Sequence, residues 1–65
     1  MNTIFYVALT YKHSTPLIVE RFECLADASA YAALMARTKQ REYVVLEQVV
    51  GWDGCAIVAN EKPEV

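Results

Sequence analysis

The alanine-rich stretch at residues 25–38 constrains the fold more than any other part of the sequence, because it alone has the composition of a helix. Six alanines lie between Ala26 and Ala36, together with other good helix formers and neither glycine nor proline. The pattern predicts a helix over residues 27–38, with the carboxylate of Asp27 as its N-cap. Because so short a helix is marginal in water by itself, it must pack against another element.

Helical spacing predicts the face on which this helix packs, formed by four larger side chains with two alanines beside them: Tyr31, Leu34, Met35, Thr38, Ala28 and Ala32. Small alanines on that face would let the helix axis come close to a sheet. Arg37, Lys39 and Arg41 follow at the C-terminal end of the helix, where cations complement the negative end of the helix dipole.

The segments on both sides of the helix have the composition of β-strands. Residues 3–12 alternate in hydrophobicity, and Pro16 in the segment 13–16 predicts a turn before a second strand at residues 17–25. The alternation in this second strand changes phase, which predicts a β-bulge near Glu20 and Arg21.

Residues 42–52 and 55–60 predict a third and a fourth strand, joined by the dipeptide Asp53-Gly54. Asp-Gly between two apolar runs is typical of a two-residue type I′ hairpin turn, because both central residues of that turn need a positive φ. This turn would pair Val49 with Val58. Residues 61–65 are polar and contain a proline, so we expect a flexible tail.

The order β-β-α-β-β predicts an α+β fold, a single small domain over residues 1–65 in which one helix packs on one face of an antiparallel four-stranded sheet. A 65-residue chain buries a thin core, and this one is 55% apolar. We therefore expect a homodimer. Either face of the first strand could meet the partner; the face with Ile4, Tyr6, Ala8 and Thr10 is less polar than a solvated face should be.

The charge and cysteine content limit the classes of partner and the cellular compartment that we expect. A net charge of −2 argues against a protein that is held on nucleic acid by phosphate contacts, and the basic cluster at Arg37, Lys39 and Arg41 is explained more simply by the helix dipole. Cys24 and Cys55 are expected to be reduced, buried thiols of a cytoplasmic protein, with a disulfide as the alternative. No apolar run is long enough to span a membrane, so we expect no membrane partner.

The residue inventory predicts no enzyme. The one histidine, His13, lies beside Ser14 and Thr15 in the predicted turn, where adjacent side chains do not readily form a nucleophile and base pair. Two cysteines and one histidine are too few for a zinc site, and there is no glycine-rich phosphate loop. We expect no metal and no cofactor.

Exposed aromatic side chains are the remaining unusual feature, since they exceed what one helix can cover, and tyrosine and tryptophan are enriched at interface hot spots. Together with acidic side chains that would suit a basic partner surface, they predict a protein-binding set: Tyr6, Tyr11, Tyr43, Trp52, Glu20, Glu23 and Glu47.

The layout around the helix opening Ala26-Asp27-Ala28-Ser29-Ala30 and the strand-turn Gln48-Val49-Val50-Gly51-Trp52 resembles small inhibitor proteins of phages and mobile elements, anti-CRISPR proteins among them. The resemblance implies a non-enzymatic protein-binding module that sterically blocks a host defence or nucleic-acid-processing complex. It carries over no functional residue. Two alternatives remain open: a homodimer that binds a small ligand at its interface, and a nucleic-acid-binding accessory protein that uses Arg37, Lys39 and Arg41.

Overall fold

The structure is a computed structural model that describes residues 3–49, 51 and 53–63. Within these residues the elements follow the order β1 (Thr3–Leu9), β2 (Leu17–Phe22), α1 (Leu25–Lys39), β3 (Tyr43–Val49) and β4 (Ala56–Glu61). The strands form one antiparallel sheet in the order β2-β1-β3-β4. The predicted α+β fold with the order β-β-α-β-β is confirmed.

The two central strands hold the sheet together. β1 and β3 pair along their whole length, from Thr3 opposite Val49 to Leu9 opposite Tyr43. Because β2 and β3 are not neighbours, α1 carries the chain past β1, and it lies on one face of the sheet. The helix therefore runs with its N-terminus near the end of β2 and its C-terminus near the start of β3.

The core lies between α1 and the two central strands. Three fully buried alanines of the helix, at spacings of four residues, meet a row of buried sheet residues: Ala28, Ala32, Ala36, Phe5, Val7, Tyr43 and Val45. Because alanine side chains are short, the helix lies close to the sheet. The largest side chains below 2% exposure are valines, so the core is thin, as its size predicts.

The predicted packing face of the helix is correct only in part: Ala28 and Ala32 are fully buried, but two of the four larger side chains do not pack. Leu34 is 49% exposed and Thr38 is exposed. The three buried alanines of the helix, which we call the alanine stripe, face the sheet instead. Tyr31 and Met35 pack at the margin of the core, and the ring of Tyr31 lies 5.4 Å from that of Phe22 on β2.

The helix begins two residues earlier than predicted, so Asp27 is not its N-cap. Cys24 is the N-cap; its carbonyl accepts a hydrogen bond from the amide of Ala28 at 3.1 Å, and its side chain makes no capping bond. Asp27 lies instead in the first turn, where its charge still complements the helix dipole. At the other end Gln40 is the C-cap with φ of 55°, and its Nε2 donates to the carbonyl of Arg37 at 2.7 Å.

Both edge strands contain a β-bulge. The predicted bulge in β2 is present, although it lies at Val19 and not at Glu20 and Arg21: Glu20 pairs with Val7, Ile18 pairs with Ala8, and Val19 is the extra residue. A second bulge, which the sequence did not predict, occurs in β4 at Val58.

The predicted type I′ turn is wrong. Glu47 lies opposite Ala56, whereas a two-residue turn at Asp53-Gly54 would place it opposite Asn60, and Val58 does not pair with Val49. Among the described residues of this loop, Gly51 has a positive φ, 97°, whereas Asp53 and Gly54 are outside the left-handed region. The register in which β4 pairs with β3 thus overrides the local preference of Asp-Gly. The predicted roles of Val50 and Trp52 lie outside the described residues.

The ends of the predicted strands are corrected as well. β1 and β2 stop at Leu9 and Phe22, short of the predicted residues 12 and 25, and Gly51, predicted to belong to β3, lies in a turn. Glu61, which we assigned to the tail, is the last residue of β4 and pairs with Tyr43. The two cysteines are free and exposed, which corrects the prediction that both are buried.

We expect Gly51→Ala and Gly54→Ala to differ sharply in stability. A Cβ at either position meets nothing within 4 Å, so only the backbone conformation distinguishes them. Gly51→Ala should lower the free energy of unfolding by about 1–2 kcal/mol, because an L-residue resists positive φ, whereas Gly54→Ala should be neutral or slightly stabilising. Urea denaturation monitored by circular dichroism measures both. A larger loss of stability for Gly54→Ala than for Gly51→Ala would instead support the predicted turn at Asp53-Gly54.

We expect Ala32→Leu to destabilise the domain, because Ala32 is fully buried where the helix approaches the sheet. Overpacking at such a site costs about 1–3 kcal/mol. The matched control is Ala33→Leu, one residue further on the exposed side of α1, which should change stability by less than about 0.5 kcal/mol. Equal effects in urea denaturation would contradict the packing of the alanine stripe.

Candidate functional site

The sheet face opposite α1 carries no helix, and we call it the open face. Paired residues of neighbouring strands point to the same side of a sheet, so the register defines its members: Ile4, Tyr6, Ala8, Ile18, Arg21, Val44, Leu46, Gln48, Ile57 and Asn60. Arg21 is the one charged residue in this set. The open face is therefore mainly apolar, as the composition of β1 indicated.

On the open face the side chains of the central strands are buried, and those of the edge strands are exposed. Ala8 and Val44, on the central strands, are 0% and 2% exposed although the helix lies on the other side. Ile18 on β2 and Ile57 on β4 are 50% and 62% exposed. A protein or ligand that covered this face would thus bury mainly the side chains of the edge strands.

The polar groups of the open face are partly paired with one another. The Tyr6 hydroxyl donates to Oε1 of Gln48 at 3.1 Å, across the central strands. This bond uses the polar end of the tyrosine and leaves its ring as apolar surface. The face therefore presents less hydrogen-bonding capacity than its composition suggests.

The area of the open face is moderate. Four strands about 4.8 Å apart and about 24 Å long give a projected area on the order of 450 Å². The largest apolar patch on a typical monomer is about 300–600 Å² and is often functional.

Charge is segregated along the molecule despite the net value of −2. Five of the six lysine and arginine residues lie where β1, α1 and β4 end and β3 begins, a region that we call the basic end: Lys12, Arg37, Lys39, Arg41 and Lys62. Among the described residues, two acidic ones, Glu42 and Glu61, also lie in this region. The opposite end, which we call the acidic end, contains Glu23, Asp27, Glu47 and Asp53.

A cleft of about 760 Å³ opens at the basic end, with three cations, an aromatic ring and one carboxylate among its lining residues: Lys12, Arg41, Lys62, Tyr11 and Glu42. The guanidinium carbon of Arg41 lies 5.4 Å from the centre of the Tyr11 ring, and Nη2 of Arg41 donates to the carbonyl of Thr10 at 3.4 Å. These contacts hold the arginine against one side of the ring.

The floor of the cleft is anchored to the sheet. The amide and the hydroxyl of Thr10 both donate to the carbonyl of Glu42, at 3.2 and 3.1 Å. These bonds continue the pairing of β1 with β3 beyond Leu9. The segment that carries Tyr11 and Lys12 is therefore fixed at its base, next to the exit of the helix.

The structure does not bring the predicted aromatic binding residues together on one surface. Tyr6 lies on the open face and Tyr11 lies in the cleft, where it is 43% exposed. Tyr43 is 3% exposed within the core, which corrects its assignment as a partner contact, because α1 covers that side of β3. Trp52 lies outside the described residues.

The predicted acidic contacts are spread across β2 and β3. Glu20 and Glu23 are exposed, and Oε1 of Glu20 accepts a hydrogen bond from the amide of Arg21 at 3.0 Å. Glu47 is half-buried and lies opposite Phe5, on the helix side of the sheet. Glu20 lies opposite Val7, also on the helix side, so neither Glu20 nor Glu47 is part of the open face, while Glu23 and Glu47 lie at the acidic end.

The basic residues that line the cleft differ from those that the sequence predicted as a cluster. Of the residues suggested by the sequence, Arg41 lines the cleft, whereas Arg37 and Lys39 are exposed outside its lining. The sequence did not indicate Lys12 and Lys62, which are 50 positions apart and meet only through the order of the strands. Their one shared signal is that each follows the last residues of a strand.

Within the described part of the chain, no group of three histidine, cysteine, aspartate or glutamate side chains could hold a metal ion. Among the same residues no helix combines the length and apolar character needed to cross a membrane. Comparisons with protein-family models, with curated proteins and with solved structures find no match for this chain. The geometry defines a small α+β protein with an open apolar sheet face and a separate basic cleft.

Proposed function

We propose that this chain is a non-enzymatic protein-binding module that pairs with a second copy of itself through the open face. The observation that carries the proposal is the open face itself, an apolar sheet surface without a helix on which Ile18 and Ile57 are at least half exposed. Apolar patches of several hundred Å² on a soluble protein often mark interaction sites.

The expected strength of this pairing follows from the area. Two copies that cover each other's open face would bury about 900 Å² in total, which lies below the usual range for stable complexes. We therefore expect a reversible dimer that dissociates on dilution, and not an obligate one. The thin core of the domain favours the same arrangement, because burial of the second face adds apolar area that one copy cannot supply.

The charge pattern favours a second copy as the occupant. Apart from Arg21 the strand residues of the open face are uncharged, so a charged partner surface would lose its water without gaining ion pairs. A copy presents the same uncharged face. When the two-fold axis lies across the strands, the basic end of one copy meets the acidic end of the other, and the isologous contact becomes electrostatically complementary.

The edges of the sheet favour face contact over strand addition. β2 and β4 are the two edge strands, and each contains a bulge, at Val19 and at Val58. Bulges interrupt the ladder that an added strand needs, and natural sheets use them to protect edges. The exposed apolar side chains of both strands are thus better used by a surface that lies over the sheet.

The test is the oligomeric state. We expect sedimentation equilibrium of the full chain to show a monomer–dimer exchange, and Ile57→Glu to shift it to monomer, because a carboxylate would be buried without a partner. The matched control is Leu34→Glu, which places the same charge on an exposed leucine of the helix surface, away from the open face. This control should leave the dimer intact.

Two results would overturn this assignment. A wild-type chain that stays monomeric at every concentration would remove the dimer, and Leu34→Glu acting as strongly as Ile57→Glu would move the contact to the helix surface. The orientation is tested by salt. Pairing of opposite ends predicts that the dimer weakens as ionic strength rises, and a salt-independent constant would reject that arrangement.

A finer proposal concerns the biological target. The resemblance in size and layout to small inhibitor proteins supports a module that blocks a host defence or nucleic-acid-processing complex. The exposed carboxylates Glu20 and Glu23 would then face a basic partner surface and speed association at low salt. This part rests on the resemblance alone, and the dimer does not depend on it.

A further inference from the structure

The basic end carries more positive charge than the helix dipole explains. Arg37 and Lys39 lie in the last turn of α1, where cations stabilise the helix end. Lys12 and Lys62 belong to the segments that follow β1 and β4, so the dipole does not account for them. Both line the same cleft as Arg41.

The cleft combines the two features that a nucleotide needs. Its cations can bind phosphate oxygens, and Tyr11, a residue that is 43% exposed, offers a flat ring with Arg41 against one side. Aromatic rings stack with any base, and an arginine on the opposite side strengthens such a platform. A volume of about 760 Å³ is in the range of small-molecule sites.

We propose that this cleft binds a nucleotide with a terminal phosphate, whose base stacks on Tyr11 and whose phosphate is held by Lys12, Arg41 and Lys62. The charge balance supports a monophosphate. Among the described lining residues, three cations and the carboxylate of Glu42 leave a surplus of two positive charges, and a phosphate monoester carries a charge of about −1.5 to −2 at neutral pH. The same chemistry is found in a free mononucleotide and at the 5′ end of a phosphorylated strand.

This site is independent of the proposed dimer. The cleft lies at one end of the sheet, and none of its lining residues belongs to the open face. Ile57→Glu should therefore leave nucleotide binding unchanged, and Tyr11→Ala, which alters the cleft but not the charge of the basic end, should leave the monomer–dimer exchange unchanged. The failure of one proposal thus does not imply the failure of the other.

The test is a titration of the full chain with adenosine 5′-monophosphate, followed by amide chemical shifts in NMR. We expect the changes to be confined to residues 10–12, 40–42 and 62. Arg41→Gln should weaken binding about tenfold, because a charged hydrogen bond to phosphate is lost. The matched control Lys39→Gln makes the same change of charge at the same end, outside the cleft, and should have little effect.

The stacking part is tested separately. Tyr11→Ala should weaken the binding of adenosine 5′-monophosphate about fivefold or more, and Tyr11→Phe should retain it, because the ring and not the hydroxyl is used. Ribose 5-phosphate, which lacks the base, should bind to the wild type more weakly than the nucleotide does. The two compounds should bind to Tyr11→Ala with the same affinity. Equal affinity of the two compounds for the wild type would overturn the assignment to nucleotides.

The source of the nucleotide is resolved with a short single-stranded oligonucleotide, with and without a 5′-phosphate. Tighter binding of the phosphorylated strand than of the free monophosphate would assign the site to strand ends, and equal binding would assign it to mononucleotides. If neither compound shifts the amide resonances of the cleft, the site is rejected. It is also rejected if Lys39→Gln weakens binding as much as Arg41→Gln, because binding would then depend on the overall positive charge and not on the cleft.

Discussion

The close approach of α1 to the central strands is the contact on which the rest of the structure depends. Ala28, Ala32 and Ala36 let the helix lie directly on β1 and β3, and the Cα atoms span only 15 Å in the shortest dimension. The same small side chains keep the core small. One layer of valines and alanines buries less apolar surface than a core of leucine and phenylalanine would, which is why an uncovered second face matters to this chain.

The helix direction also organises the charges. Because α1 starts after β2 and ends before β3, its positive end lies among acidic residues and its negative end among basic ones. Each group of charges thereby stabilises the helix to which it is adjacent. Lys12 and Lys62 extend the basic group beyond what the helix needs, so the charge distribution at that end has a component that packing and helix stability do not explain.

The elements and their order could be predicted from the sequence, because alanine content and strand alternation are local signals. The packing face of the helix could be predicted only in part: helical spacing favoured Leu34, but the short distance to the sheet selects the alanine stripe. The hairpin failed for a related reason, since the position of Ala59 opposite Val45 sets the register of β4, and the loop adapts with Gly51 at positive φ.

The candidate sites were partly predictable. The apolar outer face of β1 was visible in the alternation of Ile4, Tyr6 and Ala8, which one strand defines by itself. The cleft was not visible, because strand order alone brings Lys12, Arg41 and Lys62 together. Tyr43 could not be separated from the exposed tyrosines, since the sequence does not show which side of β3 the helix covers.

The two bulges connect the edges of the sheet to its open face. In a regular strand Ile57 and Ala59 would point to the same side; the extra residue Val58 instead places Ala59 toward the helix and Ile57 on the open face. The bulge at Val19 has the same effect on β2, where Ile18 joins the open face and Leu17 does not. Each bulge thus makes its edge a poorer template for strand addition while it adds an exposed isoleucine to the face. Both consequences favour a partner that covers the sheet over one that extends it.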